Sequence, residues 1–204
     1  MIQRTRLHLG PGDHGRRLPY DEFMAADYEG GYKYEIIDGE LYVSPLPNPG
    51  QEWVETELLF RLYDYAREHP EVINHVSNKT RVFVHSRPEA TVPEPDLAAY
   101  QDYPQRPPRG GRRWETVSPV LVAEVISPSD PNKDLVRNVE LYWQVPSIKE
   151  YWIFDLRPLA DYPLVVYRRQ ARKWKIIKLA AGETYTTRLL PGFELMVEPN
   201  QAEE

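Results

Sequence analysis

From Tyr34 to Val43 the chain reads "YEIIDGELYV", two β-rich runs joined by Asp38-Gly39. An Asp-Gly pair between such runs predicts a two-residue β-hairpin. The turn sets Ile37 opposite Glu40, Ile36 opposite Leu41, Glu35 opposite Tyr42 and Tyr34 opposite Val43. Tyr34, Ile36, Leu41 and Val43 then share an apolar face. Lys33, Glu35, Glu40 and Tyr42 share the other. Upstream, residues 18–27 read as a short helix. Downstream, Val54, Leu58, Leu62 and Tyr65 recur at helical spacing until Pro70.

Residues 71–86 read as two strands or one bent strand. Residues 91–100, "TVPEPDLAAY", give a short strand behind a Pro-x-Pro lead-in. Residues 119–128, "PVLVAEVISP", are apolar on both faces, as in a strand covered on both sides of a sheet. Residues 129–147 predict a helix capped by Asp130, with Pro131 first, a stripe of Leu135, Val139 and Tyr142, and a stop at Pro146. "KEYWIFD" (149–155) is a buried strand. Residues 163–179 form a hairpin of long strands, and 184–197 a β-rich end. The order predicts an α/β fold, a mixed sheet with helices against it.

Composition narrows the class. At 204 residues the chain fits one domain, expected over 18–197, with a mobile arm at 1–17 and a tail at 198–204. It has no cysteine, which excludes disulfides and thiolate metal sites. A net charge of −6 argues against a broadly basic nucleic-acid binder. No signal-peptide pattern and no membrane-length apolar run is present, so a cytoplasmic location without membrane contact is expected.

One residue breaks the apolar pattern. Glu124 sits among six apolar residues between Val120 and Ile126. A buried, unpaired carboxylate costs several kcal/mol, so it must be paired, protonated or metal-bound. Asp96 begins the preceding strand. If the two strands are neighbours, two carboxylates converge at one edge of the sheet. Oxygen-only ligands suit magnesium or manganese, which can activate water and neutralise a phosphodiester. Plainer readings stand beside this. Glu124 can pair with an arginine, Asp96 can be a turn residue, Glu35 can face solvent, and Asp134 can serve as a favourable charge at a helix N-terminus. Arg106, Arg109, Arg112 and Arg113 can grip phosphates or form a solvated loop. The five histidines show no ligand spacing.

Four segments, "YEIIDGELYVSP", "PDLAAY", "VAEVISPSDPNKDLVRNVELYWQVPSIKEYWIFD" and "LLPGFEL", together resemble the Uma2 family of restriction-endonuclease-like proteins, within the PD-(D/E)XK nuclease superfamily. The resemblance implies a restriction-endonuclease-like core, a mixed sheet with flanking helices and added β-hairpins. It implies a metal-dependent endonuclease acting on DNA and a homodimer. A catalytically impaired nucleic-acid or protein-binding module of the same fold is the alternative. By resemblance, Asp96 and Glu124 hold Mg2+ or Mn2+, Val125 adds its carbonyl, and Glu35 is a third acidic group. The sequence departs from the family where a lysine is expected. Ile126 follows Glu124 at the superfamily position, and Asn138 takes the alternative position on the next helix. Gln51 stands where relatives often carry histidine. Lys133, five residues before Asn138, is expected on a different side of that helix.

Overall fold

The computed structural model describes residues 6–104, 114–126, 131–158 and 160–198. Strands β1 (His8–Leu9) and β2 (Asp27–Tyr28) pair in parallel, with helix α1 (Tyr20–Ala25) between them in the chain. The hairpin forms as the alternation predicts. Strands β3 (Tyr32–Ile37) and β4 (Glu40–Pro45) pair in the expected register. Both turn residues take positive φ, 49° at Asp38 and 76° at Gly39, as a tight hairpin turn requires. Tyr34, Ile36 and Leu41 pack with Leu9, Leu18, Phe23 and Val92 in a small N-terminal core. Residues 6–17, expected as an arm, run along this layer, and Leu9 is fully buried in it.

Helix α2 (Pro49–Glu68) starts at a capping box. Asn48 Oδ1 accepts from the Gln51 N–H, and Gln51 Oε1 accepts from the Asn48 N–H. The two bonds satisfy backbone donors at the helix start. Leu58, Leu62, Tyr65 and Ala66 form its buried face.

The main sheet contains β5 (His75–Ser77), β6 (Leu97–Tyr100), β7 (Leu121–Val125), β8 (Glu150–Phe154), β9 (Leu164–Arg169) and β10 (Trp174–Leu179). They lie in the order β10-β9-β8-β7-β6-β5. Only β7 and β8 run parallel; the other neighbours are antiparallel. The connection between that parallel pair carries helix α3 (Asn138–Trp143). A last hairpin, β11 (Thr184–Thr186) and β12 (Glu194–Met196), completes the chain's ordered elements. One sheet face packs against α2 and this hairpin, through Leu97, Leu121, Trp152 and Val166. The other, with Val122, Tyr151 and Ile153, packs against Leu141, Tyr142 and Ile148.

One expectation is narrowed and one corrected. Residues 71–86, expected as two strands or one bent strand, supply a single three-residue strand, β5. Past it, Val82 and Val84 donate to the carbonyls of Pro93 (2.9 Å) and Thr91 (3.0 Å). Pro93 has no N–H to return, so no regular ladder forms. The helix expected over 129–147 is not uniform. Lys133–Arg137 is a π-helical segment, and α-helical geometry resumes at Asn138. Asp130, the expected cap, lies outside the described residues, as do Arg106, Arg109, Arg112 and Arg113.

Candidate active site

The β6–β7 register pairs Leu97 with Ala123. One step further along the same register sets Asp96 beside Glu124, at the edge where the two strands end. Asp96 Oδ2 accepts from the Val125 N–H at 2.7 Å. The Asp96 N–H in turn points to Glu124 Oε2 at 3.4 Å. Two acids 28 positions apart are therefore joined through backbone. Both are buried, Glu124 completely.

Glu124 is not paired with an arginine among the described residues. Its Oε1 accepts from Asn138 Nδ2 and from the Tyr142 hydroxyl, each at 2.9 Å. Lys133 Nζ stands 4.0 Å from its Oε2. Burial, with the charges of Asp134 and Asp96, pushes the Glu124 carboxyl well above the usual carboxylate range, against the pull of Lys133. Asp134 stands in the first turn of its helical segment, as expected, but does more than a helix-end charge would. It is buried, accepts from Asn138 Nδ2 at 3.0 Å, and lies 3.6 Å from Lys133 Nζ. Burial raises it to about 6, with Asp96 and Glu35 adding to the effect.

Lys133 departs from the expected position for a local reason. Ordinary helical rotation over five residues would turn it away from Asn138. The π-helical segment closes an i→i+5 ring instead: the Asn138 N–H reaches the Lys133 carbonyl. Five-residue spacing thus becomes same-face spacing, and both residues stand at Glu124. A single π turn in a helix often marks a functional position.

The hairpin supplies the opposite wall. Lys33 Nζ bonds Asp96 Oδ1. Burial works against its charge, but Asp96 and Glu124 outweigh that and raise its pKa. Glu35 does not face solvent. It is buried, with Oε1 accepting from the Glu94 N–H (2.9 Å) and Oε2 from Arg137 Nη2 (2.7 Å). Burial opposes its ionisation, but Lys133 and Arg137 prevail and lower it to about 2. Glu35 is therefore an anchor for Arg137, whose guanidinium also lies 5.1 Å from the Tyr42 ring centre.

From α2, Gln51 Nε2 points to the Val125 carbonyl at 3.4 Å. One turn on, Glu55 lines the same cleft, and burial and the Asp96 charge raise it to about 7. The cleft between hairpin, α2 and the β7 edge measures about 110 Å3 and is also lined by Lys33, Lys133 and Arg137. That is room for a hydrated ion and its attached oxygens. Asn138 is not on its wall. The side chain is fully buried behind Glu124, and its Oδ1 accepts from Arg137 Nε at 3.1 Å.

Lys33 and Glu55 were absent from the sequence-based set. Hairpin alternation had put Lys33 on the face of Glu35, and Glu55 follows Gln51 by one helical turn. Each signal was present, but nothing in the sequence showed that those faces meet the β7 edge.

Among the described residues no three acidic or histidine side chains converge to hold a metal by themselves. Asp96 and Glu124 meet at one strand edge through backbone N–H groups, and Val125 lines the same cleft as Asp96. Hard oxygen donors of this kind fit magnesium or manganese, which retain several waters. The contact of the Lys33 ammonium with Asp96 shows that this edge attracts positive charge. No helix among the described residues is long and apolar enough to cross a membrane.

Comparison with known proteins agrees with this architecture. A crystal structure titled as a putative nuclease belonging to DUF820 from Anabaena variabilis ATCC 29413 superposes with a TM-score of 0.66. The match covers 88% of this chain and 94% of that one at 14% identity, a likeness of fold. No curated protein matches. The profile of the Uma2 family, described as "Putative restriction endonuclease", matches residues 20–198. The chain belongs to the Uma2 family.

Proposed function

We propose that this cleft hydrolyses phosphodiester bonds in DNA, with Mg2+ or Mn2+ held by Asp96, Glu124 and the Val125 carbonyl. The observation that carries the reading is the cross-strand junction of Asp96 and Glu124, with Asp96 and two lysines lining one cleft and Glu124 fully buried beside Asp96. A divalent cation bound there supplies Lewis acidity and a more acidic water at neutral pH. The protein's own groups do the remaining work. Asn138 and Tyr142 fix the rotamer of Glu124 by donating to one oxygen, leaving Oε2 directed at the junction. Asp96 is fixed by the Val125 N–H through Oδ2. Lys33 and Lys133 bring two positive charges to the cleft, where they would neutralise a phosphate and its developing charge. Lys133 thereby takes up the work of the lysine missing at Ile126 and at Asn138. Arg137, held by Glu35, would grip a neighbouring phosphate. Glu35 and Asn138 are positioning residues in this scheme.

The test is cleavage of supercoiled and single-stranded DNA with magnesium, manganese or chelator. Metal-dependent nicking that disappears in both Asp96→Asn and Glu124→Gln is expected. Cutting that survives either substitution would sink the assignment. A second reading has a specific basis: Lys33 already bonds Asp96 Oδ1, as a built-in cation would. In that reading the chain binds nucleic acid without cutting it. DNA retention without cleavage, unaffected by any metal, would favour it.

A further inference from the structure

His14 lines the hairpin wall of the cleft, beside Tyr42, Val43 and Ser44, and is exposed there. It belongs to residues 6–17, the segment expected as an arm. These residues precede the stretch that the family profile matches, so the family relation assigns them no role.

The fold gives the segment a fixed place. One edge of β4 pairs with β3, and the segment takes the other. The Gly15 N–H donates to the Leu41 carbonyl and the Leu41 N–H to the Arg16 carbonyl, each at 2.8 Å. The Leu18 N–H donates to the Gly39 carbonyl at 2.9 Å. Leu9 and Leu18 anchor the segment in the N-terminal core. Gly15 has a φ of 84°, which favours glycine, at the point where the segment meets the strand. At Val43, two residues past Leu41, an imidazole takes the place of backbone. The Val43 N–H donates to His14 Nδ1 at 3.1 Å, and the Val43 carbonyl lies 3.2 Å from the same atom. The ring also meets Tyr42 edge-on, with centres 5.5 Å apart. Arg137 lies against that same Tyr42 ring.

We infer that His14 is a substrate-contacting residue of this cleft, its Nε2–H donating to a phosphate oxygen next to the phosphate gripped by Arg137. The inference rests on the reading of the cleft as a phosphodiesterase site and extends that site to a second phosphate of the strand.

Three arguments carry it. The first is the proton. A neutral ring whose Nδ1 accepts from the Val43 N–H keeps its hydrogen on Nε2. An imidazolium is served equally well, with Nδ1–H donating to the Val43 carbonyl. In both forms Nε2–H is a donor, and no described residue accepts from it. The second is preorganisation. Val43 and Tyr42 already fix the ring, so little side-chain freedom is lost when a ligand binds. The third is the state of the other donors. Lys33 is engaged by Asp96 and Arg137 by Glu35, whereas the outer nitrogen of His14 is uncommitted. A phosphate oxygen only accepts, so it suits a wall that offers donors. Finishing the edge of β4 uses Nδ1 alone and leaves Nε2 unexplained.

Two amide substitutions separate the two ring nitrogens. Asparagine carries its amide near the position of Nδ1 and keeps a partner for Val43 without reaching the place of Nε2. Glutamine carries its amide near Nε2 and gives up Nδ1. His14→Asn should melt as the wild type does, raise KM for DNA cleavage about tenfold and leave kcat within about twofold, the loss of one hydrogen bond to a charged group. The affinity for a fluorescent oligonucleotide, measured by anisotropy in chelator, should fall by the same factor. His14→Gln should melt lower and hold KM within about threefold of the wild type. A His14→Asn protein with wild-type KM and affinity would overturn the inference and leave His14 as a brace for β4. A fall in kcat with KM unchanged would overturn it too. If the wild type binds DNA without cutting it, the affinities decide the role of His14 alone. If the wild type neither binds nor cuts DNA, the reading of the cleft fails and the inference falls with it.

Discussion

Two glutamates, Glu124 on β7 and Glu150 on β8, are buried on adjacent parallel strands and on opposite faces of one sheet. Glu150 is fully answered. Arg168 Nε and Thr187 Oγ1 donate to one oxygen at 2.7 and 2.6 Å, and Trp152 Nε1 and the Tyr185 hydroxyl to the other at 2.9 Å. Among the described residues its contacts bring one full positive charge, from Arg168, and no second acid. Glu124 receives an amide, a hydroxyl and a long backbone contact, with its nearest cation, Lys133 Nζ, at 4.0 Å, while Asp96 and Asp134 crowd it. A buried carboxylate with matched donors braces a fold. One that shares its pocket with like charges stores unfavourable energy, and such groups gather where chemistry is done. The difference lies in the partners, since burial is nearly the same.

The comparison can be broken at its extremes. The largest effect should fall on the Glu124 side. Asp96→Asn or Glu124→Gln should cut DNA cleavage by at least about 10³-fold, or about 4 kcal/mol of transition-state stabilisation. Melting temperatures measured alongside should show the proteins still folded. Next comes the Glu150 side. Arg168→Met leaves a buried carboxylate without its cation and should cost about 3 kcal/mol in denaturant unfolding. Cleavage per folded molecule should not change. If Arg168→Met instead abolishes cleavage without loss of stability, the division between brace and site is wrong.

Acid titration gives a third contrast, with opposite signs inside the site itself. Glu35 is held at about 2, below its ordinary 4.5. The unfolded chain therefore binds the proton first, and this group's stabilisation is present above pH 4.5 and lost as pH falls towards 2. Asp134 is raised from 3.8 to about 6. Here the folded state keeps the proton longer, so stability falls as pH rises from about 4 to about 6. Asp134→Asn should remove that fall, a gain of about 3 kcal/mol at pH 7. Glu35→Gln should flatten the acid limb. Unfolding curves from pH 2.5 to 7.5 check both signs.

The smallest effect is ligation. Manganese at about ten times its dissociation constant should add about 1.4 kcal/mol, a rise of about 3–6 °C in melting temperature for a chain of this length. The rise should vanish in Glu124→Gln and persist in Arg168→Met.

Much of this architecture is local in origin. Alternation and Asp38-Gly39 fix the hairpin and its register, because side-chain period and turn geometry leave one solution. The capping residues and the 3.6-residue repeat fix α2. The lone acid in "LVAEV" marks Glu124, because a charge in a strand apolar on both faces demands a partner. Asp96 is legible as its mate only if the two strands are neighbours. Distance in space was the missing quantity. Lys33, Glu55 and Arg137 reach the site from three elements, and their burial and pKa shifts exist only once those elements pack. Lys133 was misplaced for a different reason: periodicity assumes 3.6 residues per turn, and a π segment has more. By itself the sequence determined the elements, their polar faces and the one acid out of place. Tertiary structure decided which charges share a cleft, because electrostatic energy depends on separation and burial, and neither is written in the order of residues.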